Sequence, residues 1–450
     1  MSALTLKKHE LTRRIESIPA EVAVWRGATL QQVDKNAHFS QVRAIEILVK
    51  TIVDPQTAAV QQLDPTNADT FQPASFQILQ SLVKAQRTWD FFRDKLDLRY
   101  SAIYKDALWF ADTVAWNCHR TTLDLAVQFG IIDANHLREP PLVYCTVEYS
   151  PATWVRGSRP NDGRQYDLGQ ATLPIPVIEL PWDHLGSAWE YLSLHHEVGH
   201  DIEADLALRP VLQATLQQAL AAANVPLPRI QTWLKWQGEV FADLCALQLG
   251  GPAFADALFQ LLLLPVNMVK AFNGADPHPT PYVRMLIVAA YVRTLGATPA
   301  IQDHAAAIET QLRTLYGQST GNAVLDAMPT DFPLVFDALM KTALPTLKGH
   351  TVLELLPFSS AEDARIRAAE KYFRTGSNKP NALPIRHVPS AARFAVAVEN
   401  DAGTLTAERA AAIHGLAYDY VREMAPAGLR GGGASAHDKF IAGFAEGMFP

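Results

Sequence analysis

Apolar residues recur every three to four positions in 44–53, 76–92 and 103–129, the period of a helix with one buried face. Asp54-Pro55 and Asp64-Pro65-Thr66-Asn67 read as breaks between them. Residues 1–138 are therefore expected to form a helical region. The texture changes at Glu139-Pro140-Pro141. Residues 142–149 are β-branched and aromatic, and 171–180 form a second extended run, with the turn residues Asn161-Asp162-Gly163 between the two. Pro174 and Pro176 have no N–H for a ladder, which predicts a sheet edge or restricted pairing for the second run. Beyond residue 182 the helical period returns, predicting helices near 184–208, 228–249, 282–295, 300–316, 360–374 and 404–424. Loops rich in Pro and Gly separate them. The expected class is mainly α, of α+β type: a core at 139–299 with a small sheet, flanked by helical regions at 1–138 and 300–450.

Composition narrows the function classes. In 450 residues, 39 Lys and Arg stand against 46 Asp and Glu, a net charge of −7. Nucleic-acid and anionic-membrane binding normally show the opposite balance, so no nucleic-acid partner is expected. Cys118, Cys145 and Cys245 are odd in number and make no CxxC pair, which fits reduced thiols. The N-terminus meets charged residues at once and shows no signal peptide. The greasiest stretch, 257–272, is interrupted by Gln260, Pro265, Asn267 and Lys270, too short and broken for a membrane span. A cytoplasmic location is expected. Gly431-Gly-Gly-Ala-Ser-Ala436 lacks the Lys-Ser/Thr of a phosphate loop and reads as a flexible joint.

The chemistry is concentrated in His195-His196-Glu197-Val198-Gly199-His200, which contains His-Glu-x-x-His. Residues four apart on a helix lie one above the other, so His196 and His200 can bind one Zn²⁺ per chain through their ring nitrogens. Glu197, one step round, is free to take a proton from water. Leu185, Trp189 and Leu192 continue the same stripe, so the metal face points into the core. Gly199 allows close approach of a neighbouring element, and Pro210 reads as a helix stop. A third ligand is required. Glu239 and Asp243 are an i, i+4 pair in Trp236-Gln-Gly-Glu239-Val-Phe-Ala-Asp243-Leu-Cys-Ala246, so Glu239 can ligate while Asp243 orients a ligating histidine. Glu203, three residues past His200, is the competing donor. Asp201 and Asp205 read as solvated or supporting. His195 is expected to bond locally and Cys245 to be core. His387, His414 and His437 show no site spacing.

In Asp276-Pro-His278-Pro-Thr-Pro281-Tyr282-Val-Arg284, Thr280 can cap a helix with Pro281 at its first position, displaying His278, Tyr282 and Arg284 at its start. His278 or Tyr282 could then donate a hydrogen bond to an oxyanion.

His-Glu-x-x-His followed by Glu-x-x-x-Asp resembles the gluzincin metallopeptidases. Glu239-Val-Phe-Ala-Asp243-Leu-Cys-Ala246 looks particularly like the Glu-x-x-Ala-Asp-x-x-Ala box of the HtpX-like group. The resemblance covers about 185–290 and implies zinc ligands His196, His200 and Glu239, a base at Glu197 and a supporting Asp243. His278-Pro279 resembles part of the His-Pro-Pro…Arg stretch of that group, with Thr280 in place of the second proline. HtpX-like enzymes are membrane-embedded, whereas no span is legible here. The expected function is zinc-dependent hydrolysis of a peptide or protein substrate, with 176–180 as an edge for an extended peptide. A non-catalytic helical scaffold with a structural or vestigial zinc, and a zinc hydrolase acting on a non-peptide substrate, are the alternatives.

Overall fold

The computed structural model describes residues 2–31, 38–101, 103–159 and 172–425. The turn residues Asn161–Gly163, the run Gly431–Ala436 and His437 lie outside them. The fold is predominantly helical with one small sheet, as the periodicity requires. The described residues form two units. One comprises the chain up to Trp109 with Trp154–Val177, and the other Phe110–Thr153 with Ile178–Met424.

In the first unit, helices α1 (Ala3–Gln31), α2 (Phe39–Gln61) and α3 (Ala68–Asp97) pack against one another over a core that includes Val22, Ile45, Phe71, Trp89 and Phe92. Asn67 caps α3 through the Thr70 N–H, so the break read at 64–67 is real. The break read at Asp54-Pro55 is not: Pro55 lies inside α2. The apolar face on either side of it stays in register, and tertiary packing overrides the local cost of proline.

Most of α4 (Lys105–Gln128) belongs to the second unit, followed by strands β1 (Leu142–Thr146), β2 (Ala152–Trp154) and β3 (Val177–Pro181) in the order β1-β3-β2. The expected edge position of 176–180 is thereby overturned, because β3 is central and both of its edges are covered. The physical reason is where the prolines fall. Pro174 and Pro176 precede the first ladder residue, Val177, so neither is asked for an N–H. On the outer side of β1, the Val143 N–H donates to the Asp112 carboxylate at 3.1 Å.

Two short 3₁₀ turns lead into α5 (Ser193–Asp205), which is shorter than the predicted 184–208. Two residues past its end, Ala207 takes φ +51° and turns the chain away from the helix. Pro210 is therefore no stop but sits in the first turn of α6 (Arg209–Ala222), where a missing N–H costs nothing. Next come α7 (Leu227–Gly250), α8 (Ala253–Leu261), the single turn α9 (Val266–Val269), α10 (Pro281–Val292) and α11 (Pro299–Tyr316). Three short turns, α12 (Ala323–Ala327), α13 (Phe332–Phe336) and α14 (Val352–Leu355), precede α15 (Ser360–Thr375), α16 (Val388–Asp401) and α17 (Ala407–Met424).

The packing that matters most is α5 against α7. A Cβ at Gly199 would stand 3.0 Å from the Ala242 Cα and 3.1 Å from both its carbonyl oxygen and the Cys245 Cβ. Only glycine lets the two helix backbones come this close. As a result, side chains one turn apart on α7 reach the histidines of α5.

Candidate metal centre

His196 and His200 extend from one face of α5, and Glu239 faces them from α7. Among the described residues these three form the one group of His, Cys, Asp or Glu side chains whose ligand atoms all lie within 4.8 Å of each other. The two histidine Nε2 atoms are 3.2 Å apart. The Glu239 Oε2 is 3.4 Å from His196 Nε2, and its Oε1 is 3.4 Å from His200 Nε2. Zinc about 2.0–2.1 Å from each of two tetrahedral ligands holds them about 3.3–3.4 Å apart. The donor spacing thus fits a single Zn²⁺, with two imidazoles and a carboxylate as its protein ligands.

The ligands are fixed from behind. His196 Nδ1 is 2.8 Å from Asp243 Oδ1, and since a carboxylate only accepts, Nδ1 carries the proton and Nε2 presents its lone pair to the cluster. Asp243 is fully buried and gripped by Arg284, with Nε 2.7 Å from Oδ2 and Nη2 2.8 Å from Oδ1. The same Nη2 is 3.5 Å from Glu239 Oε2. One buried guanidinium therefore braces both carboxylates of the α7 pair. The Phe254 ring lies parallel to His196, with centroids 6.5 Å apart.

Charge explains the pull on a cation. Glu197, Glu239 and Asp243 against Arg284 carry a formal −2 when ionised, which one divalent ion neutralises. Burial works against a charged His196, but the Asp243 hydrogen bond and the Glu239 contact outweigh it and push its pKa up to about 10. The same field favours a metal at Nε2, for which a proton competes. Burial would raise the Glu239 carboxyl, yet contacts with His196 and His200 hold it well below the usual carboxylate range. Asp243 is likewise lowered against its burial, chiefly by Arg284. Glu197 moves the other way: its burial raises the pKa, opposed by the two histidines.

Glu197 is 5 % exposed, and its carboxylate makes no hydrogen bond or ion pair with a described residue. Glu203 is committed elsewhere. Its Oε2 accepts from Arg209 Nε and Nη2 at 2.9 and 2.7 Å, and its Oε1 accepts from Gln237 Nε2 at 2.8 Å. His195 is buried between the carbonyls of Leu192 (3.2 Å) and Arg386 (2.7 Å), and burial lowers its pKa to about 4. Cys245 is fully buried, its thiol pushed well up by that burial. Neither Asp201 nor Asp205 is solvated: Asp201 is fully buried with Thr153 Oγ1 at 3.3 Å, and Asp205 pairs with His119 at 2.9 Å.

The 276–284 segment divides. His278 stands at the rim, its Nε2 3.6 Å from Glu239 Oε1, while both its N–H and its Nδ1 lie 2.9 Å from Asp276 Oδ1. Tyr282 is buried, and its hydroxyl donates to the Gly317 carbonyl at 2.7 Å. No hydrogen bond joins it to the cluster. Thr280 occupies the cap position of α10, but its hydroxyl accepts from no helix N–H and instead donates to the Ala271 carbonyl. Arg284, expected on display at the helix start, is 7 % exposed and turned to Asp243. Its role was within reach of the sequence, since a lone arginine in the apolar run of α10 must find a buried acid. Asp276 was missed as well. Aspartate two residues before a histidine, across a proline, is a turn that can accept the histidine's own N–H.

The arrangement follows the gluzincin pattern of His-Glu-x-x-His with a later Glu-x-x-x-Asp, and among the described residues no helix is long and apolar enough to cross a membrane. No family model matches the chain, and no curated protein or solved structure matches it. The likeness is one of site geometry.

Proposed function

We propose that the chain is a zinc-dependent hydrolase of peptide bonds, with 139–299 as its catalytic segment. The observation that carries this reading is Glu197. Its carboxylate is bound by no described side chain, and it stands beside two histidines whose lone pairs converge on one point, where it is free to act on a water. A purely structural zinc site has no use for it.

His196, His200 and Glu239 would hold the ion, which supplies Lewis acidity toward a carbonyl oxygen and toward water. Glu197 accepts the proton of the attacking water and passes it to the departing amine. Burial raises its pKa, the direction that strengthens its hold on the proton it passes on. His278, oriented by Asp276 and open to solvent at the rim, donates a hydrogen bond to the carbonyl oxygen as it gains charge. Tyr282 is the weaker candidate for that role, as its proton is held by Gly317. Asp243 and Arg284 act through His196 and Glu239 by fixing their positions.

The test compares wild type with Glu197→Gln for zinc content and for cleavage of a mixed peptide library. Wild type should cleave with one zinc bound. The variant should keep the zinc and lose about 10²–10⁴ of the rate. Zinc-loaded wild type that cleaves no peptide would overturn the reading.

A further inference from the structure

The face of α7 that carries Glu239 continues past the ligand cluster into an open cavity of about 310 Å³. Pro228, Gln231, Thr232, Lys235 and Trp236 line one side, and Phe272 and Gly274 the other. At about 100° per residue, Pro228, Thr232 and Lys235 point within about 40° of Glu239, and Trp236 within about 60°. Cavity and ligand share one helix face. The opposite wall returns to the same place, because the chain beyond Phe272 and Gly274 reaches His278, 3.6 Å from Glu239.

The two walls are tied together. Lys235 Nζ donates to the Gly274 carbonyl at 2.6 Å, and Trp236 meets Phe272 edge-on with centroids 6.3 Å apart. Asn273 Oδ1 accepts the Ala275 N–H at 2.9 Å, which stiffens the loop between them. Chemically the cavity has an aromatic base, with Trp236 beneath a Phe272 that is 39 % exposed. Lys235 is the one charged residue in its lining, and no carboxylate lines it. Its ammonium has three protons and spends one on Gly274. At about 1.5 Å of rise per residue, Lys235 and Thr232 lie about 6 and 10 Å along the axis from Glu239. An extended peptide advances about 3.3 Å per residue, so that distance is two to three residues of substrate.

We propose that this cavity is a specificity subsite for an acidic substrate side chain, two to three residues from the scissile bond. Glutamate fits it best: its methylenes lie against Phe272 and its carboxylate meets the Lys235 ammonium. The inference rests on the peptidase reading given above, so its test has an arm that does not need turnover.

Zinc-loaded wild type, Lys235→Arg, Lys235→Met and Lys235→Glu are profiled on libraries in which each position flanking the cleaved bond is fixed in turn. In parallel, peptides differing only in Glu or Lys are titrated against Glu197→Gln and Glu197→Gln/Lys235→Glu. Zinc content confirms that each variant is folded around its site. Wild type and Lys235→Arg are expected to prefer Glu over Lys about tenfold at one position two or three residues from the cut. Lys235→Met should show no charge preference, and Lys235→Glu should reverse it. An unchanged preference across the four proteins, or none in wild type, overturns the subsite. If no peptide is cleaved, the hydrolytic reading fails separately. Charge-dependent binding that reverses with Lys235→Glu would still establish the subsite, and charge-independent binding would overturn it.

Discussion

A hydrogen bond 2.8 Å long from His196 to Asp243 decides which nitrogen faces His200 and Glu239, and Arg284 decides where Asp243 sits. Removing such an orienting carboxylate costs about 10–100-fold in metal affinity. Asp243→Asn should therefore weaken zinc binding by that factor, measured by competition with a chromophoric chelator. It should also leave the buried Arg284 guanidinium with Glu239, 3.5 Å away, as its one remaining carboxylate within ion-pair distance, and so lower stability. A lower thermal midpoint for Asp243→Asn with excess zinc present separates the two effects.

The buried histidines outside the cluster give a pH prediction. Burial lowers the pKa of His195 to about 4 and that of His387 well below its ordinary value. Each therefore folds as the neutral ring. The unfolded chain binds their protons first, near the ordinary histidine pKa of about 6.5, so the stability they contribute is complete above that pH. It falls as the pH drops from about 6.5 toward 4, by on the order of 1 kcal/mol per pH unit for each histidine. Urea midpoints should decline over that window, and His387→Phe should decline less steeply than wild type.

Among the elements, the contact of α5 with α7 controls the site. Gly199→Ala gains about 1 kcal/mol of helix propensity. Yet its methyl would meet backbone atoms of Ala242 at 3.0 and 3.1 Å, which cannot move without the helix. Overpacking of this kind costs about 1–3 kcal/mol. Gly199→Ala should lower stability and, by moving Glu239 away from the histidines, weaken zinc binding. Equal affinity in the variant would show that the close approach does not set the ligand geometry.

Much of this was legible in the sequence because it depends on short-range spacing. The i, i+4 relation of His196 and His200, that of Glu239 and Asp243, and the glycine at 199 all report on single helices. The limits of α7, α10, α11 and α15 agree with their hydrophobic period to within a few residues. What failed depends on partners or on one-residue placement. Pro176 ends a residue before the ladder, so β3 takes the centre of the sheet. Pro55 and Pro210 read as breaks, but one is carried within α2 by packing and the other begins α6. The partner of Glu203 could not be read from its position on the metal stripe, because Arg209 and Gln237 reach it from outside α5.

On the scale of the whole molecule, a mainly helical chain with net charge −7 concentrates three carboxylates, two imidazoles and one guanidinium within the second unit. The absence of a CxxC pair is no sign against a metal, since the donors here are nitrogen and oxygen. The central claim is that His196, His200 and Glu239 together hold one zinc. The most direct measurement is the zinc affinity, by chelator competition at pH 7.5, of wild type, Glu239→Gln and Glu203→Gln. One tightly bound zinc is predicted in wild type and in Glu203→Gln, with binding weakened at least 100-fold in Glu239→Gln. Loss of zinc in Glu203→Gln with retention in Glu239→Gln, or no stoichiometric zinc in wild type, would contradict it.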